Sequence, residues 1–255
     1  MNILKSLIVC FSMYSIIPMP KVDWDKNSMK YTFCFFPFVG AVIGLVLLLW
    51  FWLASFLSLN VMFFASVATI IPVIISGGIH MDGYIDTCDA IFSYGDTQKK
   101  LEILKDPRTG AFGVIGCVVL LLLQFGVYSQ IKENPKFILI VAIGFFLSRC
   151  IGGVAVTTMK TAKDSGLAYI FSNNADKNIV KVTLILLIII SFLLIAMLNV
   201  VLAIVIICTL ILLVIWFNFF CSKQFGGVTG DLIGFIITLT ECCILIICAI
   251  GGVLC

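Results

Sequence analysis

The sequence has 255 residues, of which 62% are hydrophobic and 11% are charged, and its formal net charge is +3. A mean hydropathy of +1.22 leaves too little polar surface to cover a soluble globule of this length, which excludes a soluble domain and indicates a membrane protein. No basic and aromatic platform is present, so nucleic acid is not an expected partner.

The first element is an apolar segment at residues 1–17, which a secretory signal peptide would also explain. Lys5 is a weak basic flank, and the sequence from Ser15 to Pro18 lacks the small residues of a cleavage site. We therefore expect a retained helix that lies at the membrane interface or re-enters the membrane.

Apolar stretches close to the roughly 20 residues that a spanning helix needs follow along the chain. Five of them lie at residues 33–58, 61–80, 111–130, 137–158 and 232–255. No charge appears in the 36 residues from Val182 to Phe217, which is long enough for two short helices that fold back around residues 197–199. The sequence predicts an all-α, polytopic transmembrane bundle of about seven spans that forms a single membrane domain, residues 1–255.

Lysine and arginine residues predict the orientation of this bundle, because they concentrate in cytoplasmic loops. Only Lys132 and Lys136 fall on the outer side, and Arg149 lies within a span. The acidic loops are thus expected to face the cytoplasm, and anionic lipid headgroups are expected partners. The thirteen basic residues on the inner side are Lys5, Lys21, Lys26, Lys30, Lys99, Lys100, Lys105, Arg108, Lys160, Lys163, Lys177, Lys181 and Lys223.

The densest acidic cluster follows the second span, in GGIHMDGYIDTCDA at residues 77–90. On a helix, Asp82, Asp86 and Asp89 share one face within about 60 degrees. A divalent cation would relieve their mutual repulsion, and oxygen ligands suit Mg²⁺ or Mn²⁺, which also bind substrate phosphates. The alternative is a solvated helix whose acids face water. His80, the only histidine, is a candidate general base, a phosphate donor or a polar residue at a span end.

Two further polar clusters lie in segments that are predicted to be on the inner side. One shares the segment at about residues 77–113 with the first cluster, and the other lies at about residues 223–241. The first of these clusters is DTQKKLEILKDPRTGAFG, residues 96–113. Here Lys105 and Arg108 can bind a phosphate from both sides, and Asp106 can join the metal ligands. Lys99 and Lys100 are explained equally well as membrane anchors. In the cluster at residues 223–241, glycines and a helix N-terminus favour a phosphate site, and Asp231 is a further candidate metal ligand. Its phosphate-binding candidates are Lys223, Gly226, Gly227, Thr229 and Gly230.

Glu241 lies ten residues beyond Asp231, or about 15 Å deeper along a helix. A glutamate within the membrane needs a partner. Arg149 of the fourth span is the predicted one.

Three separated segments resemble the signature segments of one family in order and spacing. They are GGIHMDGYIDTCDAIF, LEILKDPRTGAFGV and FGGVTGDLIGFIITLTE, and FFPFVGAVIG and LSRCIGG are also similar. The family is cobalamin synthase, or adenosylcobinamide-GDP ribazoletransferase. Departures at Ala90, Pro107 and Thr238, where glycine, serine and an acid are common, remove no proposed ligand.

The resemblance implies a Mg²⁺-dependent enzyme of the prokaryotic cytoplasmic (inner) membrane. It would join adenosylcobinamide-GDP to α-ribazole or its 5′-phosphate, giving adenosylcobalamin or its phosphate and GMP. The expected catalytic residues are His80, Asp82, Asp86 and Asp89, with one aspartate or His80 accepting a proton. Further expected partners are a second copy of the chain or other enzymes of the corrinoid pathway. The expected metal ligands are Asp82, Asp86, Asp89, Asp106 and Asp231.

Two other functions are consistent with acids at a membrane boundary. A CDP-alcohol phosphotransferase would place a further D-x-x-x-D after an Ala-Arg pair, and this chain lacks that pattern. A cation transporter would place ionisable residues near the bilayer midplane, often in inverted repeats. Here the acids gather on one side and the sequence shows no internal repeat.

Overall fold

A computed structural model gives the fold of residues 2–162 and 167–254. Outside these ranges lie the first residue of the N-terminal segment, the last residue of the final predicted span and Lys163 of the inner-side lysines. The described residues form twelve helices. These are α1 (Asn2–Tyr14), α2 (Lys26–Met29), α3 (Thr32–Phe56), α4 (Val61–Ile75), α5 (Ile79–Phe92), α6 (Thr97–Ile103), α7 (Ala111–Ile131), α8 (Pro135–Thr158), α9 (Leu167–Asn174), α10 (Lys177–Leu198), α11 (Val200–Phe225) and α12 (Gly230–Leu254).

Six of the described helices are long and apolar enough to cross a membrane, namely α3, α7, α8, α10, α11 and residues 230–251 of α12. The bent pair of α4 and α5 makes a seventh if it is counted as one span. The predicted polytopic bundle is therefore confirmed. The two helices expected within residues 182–217 extend beyond that range at both outer ends, to Lys177 and Phe225. They separate at Asn199, within the predicted turn, where the Asn199 side chain caps α11 by accepting a bond from the Leu202 amide at 3.0 Å.

The predicted second span, residues 61–80, is wrong at its inner end. Helix α4 ends at Ile75, and the axis of α5 is bent by 93° from that of α4. The break occurs where Gly77 and Gly78 adopt φ values of +64° and +78°, a region that glycine enters without the steric cost of a side chain. The acidic helix therefore runs across the end of the bundle instead of continuing straight out of it.

Helix α8 forms the centre of the bundle. It packs against α3, α10 and α12, and the residues of its apolar window are largely buried. Gly40 of α3 allows the closest approach, since a Cβ there would overlap the Phe145 carbonyl oxygen, and a Cβ at Gly44 would lie 2.5 Å from the Ala142 carbonyl oxygen. Small residues let membrane helices pack backbone to backbone in this way.

The N-terminal helix α1 covers the end of the bundle at which α3 begins. Its Val9 and Cys10 are fully buried, and the Ser6 hydroxyl accepts a bond from the Tyr31 amide at 3.4 Å. Just beyond α1, the Ile16 amide donates to the Ile75 carbonyl at 3.0 Å. At 13 residues, α1 is shorter than a span needs, as a helix at the interface or a re-entrant helix would be.

Candidate active site

Helices α5 and α12 cross in direct backbone contact at the acidic end of the bundle. A Cβ at Gly83 would lie 2.6 Å from the Asp231 carbonyl oxygen, so only glycine fits at this crossing. The close approach brings acids from two distant parts of the sequence together. Asp86, which is half-buried, interacts electrostatically with Asp82, Asp231 and Asp89.

Asp82 and Asp231 also line a common cavity of about 260 Å³, together with His80 and Gly230. The Thr229 hydroxyl donates to Asp231 Oδ2 at 3.3 Å and accepts from the Leu232 amide at the same distance. The first turn of α12 thus orients the Asp231 carboxylate beside the α5 acids. Of the five predicted metal ligands, Asp82, Asp86, Asp89 and Asp231 lie near enough to one another for their charges to interact at Asp86.

Asp89 differs from the other acids because its carboxylate caps a helix. The side chain is 8% exposed, its Oδ2 accepts from the Gly110 amide at 2.6 Å, and its Oδ1 accepts from the Gly113 amide at 2.8 Å. The positive end of the α7 dipole stabilises such a carboxylate. Gly110 and Gly113 leave space for it, since a Cβ at either position would lie 2.5 Å from an Asp89 oxygen. Sequence reasoning missed this role, although the G-x-x-G pair that opens α7 was visible.

We expect Asp89→Asn to destabilise the protein. The asparagine NH₂ group cannot accept a hydrogen bond, so one of the two backbone N–H groups that Asp89 now pairs would be left buried without an acceptor. The expected loss is about 1–3 kcal/mol, seen as a lower Tm in detergent. Asp96→Asn is the matched control, since Asp96 caps α6 through a single bond from the Lys99 amide and asparagine caps as well as aspartate. An unchanged Tm for Asp89→Asn would contradict the capping role.

Asp106 and Arg108 pair with each other in an exposed turn between α6 and α7. The Arg108 Nε and Nη2 donate to the two Asp106 carboxylate oxygens at 2.9 and 2.8 Å, and the Arg108 amide donates at 3.0 Å. These bonds from Arg108 lower the pKa of Asp106 to about 2. Asp106 is not among the carboxylates that interact with Asp86, so the structure does not bring it to the cluster. Lys105 is exposed beside this pair.

The glycines that follow α11 fix a loop to the end of α8. Gly227 fits closely there, since a Cβ would lie 2.5 Å from the Lys160 carbonyl oxygen, and the Val228 amide donates to that oxygen at 2.8 Å. Gly226, with φ of +74°, ends α11. Because the Gly227 amide also bonds within the loop, to Cys221, an anion site in this segment would use the first turn of α12 instead. Lys223, on the last turn of α11, is exposed and lies 5.8 Å from the Phe219 ring centroid.

The predicted pairing of Glu241 with Arg149 is confirmed. Arg149 Nη1 forms an ion pair with Glu241 Oε1, and the Ser148 hydroxyl donates to the same oxygen at 3.1 Å. Arg149 is 1% exposed, so this charge pair is buried within the bundle. Pairing of this kind is what keeps ionised side chains tolerable at membrane depth.

His80 lies between the acidic cavity and this ion pair. It is 7% exposed and also lines a small polar cavity of about 20 Å³ with Gln124, Arg149, Thr238 and Glu241. Its Nε2 has no hydrogen-bond partner among the described residues. A cavity of this size and polarity holds one water molecule, which would satisfy a buried nitrogen.

The fold and the site define a polytopic membrane protein with a carboxylate cluster at one end of its helix bundle. Among residues 2–162 and 167–254, no group of three His, Cys, Asp or Glu side chains is arranged so that it could hold a metal ion. The chain belongs to the CobS family of cobalamin-5-phosphate synthases, whose model matches residues 6–249. The predicted family, and with it an enzyme of cobalamin synthesis, is confirmed.

Named relatives match over nearly the whole chain. An adenosylcobinamide-GDP ribazoletransferase of Lachnoclostridium phytofermentans is 42% identical, over 94% of this chain and 92% of its own. A ribazoletransferase of the same name from Clostridium botulinum strain Alaska E43 is 34% identical, over 94% of this chain and 95% of its own. Another from Geobacillus is 35% identical over 86% of both chains. No solved structure matches the chain.

Proposed function

We propose that this chain is an adenosylcobinamide-GDP ribazoletransferase. It transfers adenosylcobinamide phosphate from the GDP-activated corrinoid to α-ribazole or its 5′-phosphate, and releases GMP. The observation that carries the proposal is that Asp82 of α5 and Asp231 of α12 line one cavity and both interact electrostatically with Asp86. The family is named for cobalamin-5-phosphate synthesis, and the relatives are named as ribazoletransferases.

The reaction needs one hydroxyl, one phosphorus centre and one proton acceptor. The ribazole 3′-hydroxyl oxygen attacks the phosphorus attached to the cobinamide side, a new P–O bond forms, and the P–O bond to GMP breaks. The hydroxyl proton passes to a side chain of the protein. Asp82, Asp231 and His80 line the same cavity, which supports each of them as a candidate for this acceptor.

We also propose that the enzyme depends on Mg²⁺. The mutual repulsion of Asp82, Asp86 and Asp231 favours a cation, and Mg²⁺ is usually held by one or two carboxylates together with waters and substrate phosphates. The site therefore fits Mg²⁺ without a complete protein cage. When bound, Mg²⁺ offsets the charge on the diphosphate and the leaving GMP. Lys105, Arg108 and Lys223 would neutralise further phosphate oxygens, Arg108 by exchanging its Asp106 partner for phosphate.

The proposed location is the cytoplasmic membrane, with the carboxylate cluster facing the cytoplasm. This orientation puts thirteen lysine and arginine residues on the cytoplasmic side and two on the outer side, as the charge bias of membrane proteins favours.

The test is turnover by the purified, detergent-solubilised protein supplied with adenosylcobinamide-GDP and α-ribazole or its 5′-phosphate. We expect one GMP for each cobalamin or cobalamin phosphate formed. GMP release without an acceptor would identify a hydrolase instead, and no product with either acceptor would contradict the proposal.

Gly83→Ala is expected to lower turnover by at least about tenfold. The added methyl group would clash with the Asp231 backbone and force α5 away from α12. The carboxylates would then move apart by up to about 1 Å, and a displacement of this size is enough to lower the rate tenfold or more. Gly126→Ala is the matched control, because nothing lies within 4 Å of a Cβ there. Equal rates for both variants would show that the crossing does not position the site.

A further inference from the structure

The cavity beside the carboxylates is lined by polar and apolar residues that adjoin one another. The polar ones are His80, Asp82 and Asp231, and His80 contacts the rings of Tyr14 and Phe36. The apolar wall comes from helices distant in sequence. Its members are Met13 and Tyr14 of α1, Phe33 and Phe36 of α3, Ile79 of α5, Val156 of α8 and Ile233 of α12.

Aromatic rings organise the apolar wall. The Tyr14 ring lies 4.4 Å from the Phe36 ring between centroids, and it stacks on His80 at 6.2 Å with an interplanar angle of 25°. Phe33 meets Phe36 edge to face at 6.0 Å. Phe33 and Phe36 are each only 1% exposed, so they support this wall from behind. The surface that a ligand can reach comes from Met13, Tyr14 and Ile79, which are partly exposed. Planar ligands stack on such a surface.

The size and chemistry of the cavity select among the parts of the two substrates. A volume of about 260 Å³ is far too small for a corrin macrocycle. Guanine carries hydrogen-bonding groups along its edges, and burying them against this apolar wall would leave them unpaired. The base of α-ribazole is a dimethylbenzimidazole, which has no exocyclic donor or acceptor and gains from apolar burial.

We propose that the wall formed by Met13, Tyr14 and Ile79, supported from behind by Phe33 and Phe36, binds the benzimidazole base of the nucleoside acceptor. The inference rests on the proposed function and assigns one of its two substrates to this cavity. With the base against the aromatic wall, the ribose faces Asp82 and Asp231, and so its hydroxyl is presented to the acids. Helix α1 thereby becomes part of the acceptor site through Tyr14.

Tyr14→Leu tests the proposal, with Tyr14→Phe as the conservative variant that keeps the ring. The measurements are the KM for α-ribazole, the KM for adenosylcobinamide-GDP, and kcat. We expect Tyr14→Leu to raise the α-ribazole KM about tenfold, the size of a lost aromatic contact, with the corrinoid KM within about twofold. Phe146→Leu is the control, since Phe146 lines a groove between α3, α8 and α10 away from the acids.

A second variant fills the cavity instead of removing a ring. Val156→Phe places a larger side chain among the lining residues, and we expect the same selective rise in the α-ribazole KM. In the wild-type protein, free dimethylbenzimidazole should compete with α-ribazole while guanosine should not. A rise in the corrinoid KM alone, or competition by guanosine, would overturn the assignment in favour of the nucleotide leaving group.

The same measurements separate this inference from the function on which it rests. Wild-type turnover with unchanged kinetics in Tyr14→Leu and Val156→Phe would remove the acceptor pocket and leave the ribazoletransferase intact. A wild-type protein that makes no cobalamin product would remove the proposed function itself.

Discussion

Asp82→Asn, Asp86→Asn and Asp231→Asn, made one at a time, are expected to lower turnover by at least about a hundredfold. Each change keeps the size of the side chain and removes a negative charge from the cluster around Asp86. If the carboxylates bind a cation and handle the transferred proton, neutral amides cannot replace them. The measurement is GMP release per mole of purified protein.

Folding has to be separated from chemistry in these variants. Asp82 is exposed and Asp86 half-buried, so removing repulsion among the acids should leave Tm unchanged or slightly raised. Asp23→Asn is the control, because Asp23 is an exposed aspartate outside the cluster, and its rate should match the wild type. Near-wild-type rates in all three cluster variants would remove the carboxylate site from the mechanism.

Breaking the Arg149–Glu241 ion pair is expected to cost about 3–5 kcal/mol of stability, because either single change leaves an uncompensated charge within the bundle. Arg149→Met removes the cation and Glu241→Leu removes the anion. The double variant has neither charge, and apolar pairs of similar volume often replace buried ion pairs at little cost. Its Tm should therefore lie above that of either single variant.

The double variant also tells whether the pair has a second role. Arg149 and Glu241 line the small polar cavity that His80 shares. If the pair is purely structural, recovered stability should bring recovered turnover. Additive losses of Tm in the two single variants and the double variant would show that the side chains do not interact in the folded protein.

Much of the fold follows from the sequence because the bilayer constrains it. Apolar stretches of spanning length gave the helices, and the absence of charge from Val182 to Phe217 gave the α10–α11 pair. The Glu241–Arg149 contact was predictable for a related reason, since a buried acid needs a base and few bases are available within the spans.

The parts that sequence reasoning missed depend on tertiary geometry. Gly77 and Gly78 permit a break in the helix, but no local pattern predicts the 93° angle between α4 and α5 or the contact of α5 with α12. Asp89 shared a helical face with Asp82 and Asp86, but its carboxylate meets amides more than twenty residues away. The aromatic wall joins Tyr14 to His80 across 66 positions, and no local pattern links them.

The most direct test of the account is the rate of GMP and cobalamin formation by the wild-type protein as free Mg²⁺ is varied, from excess chelator to saturation. We expect no turnover in chelator, recovery when Mg²⁺ is restored, and little recovery in Asp86→Asn at the Mg²⁺ concentration that saturates the wild type. Full turnover in chelator after metal removal would contradict the proposal that these carboxylates work with a divalent cation.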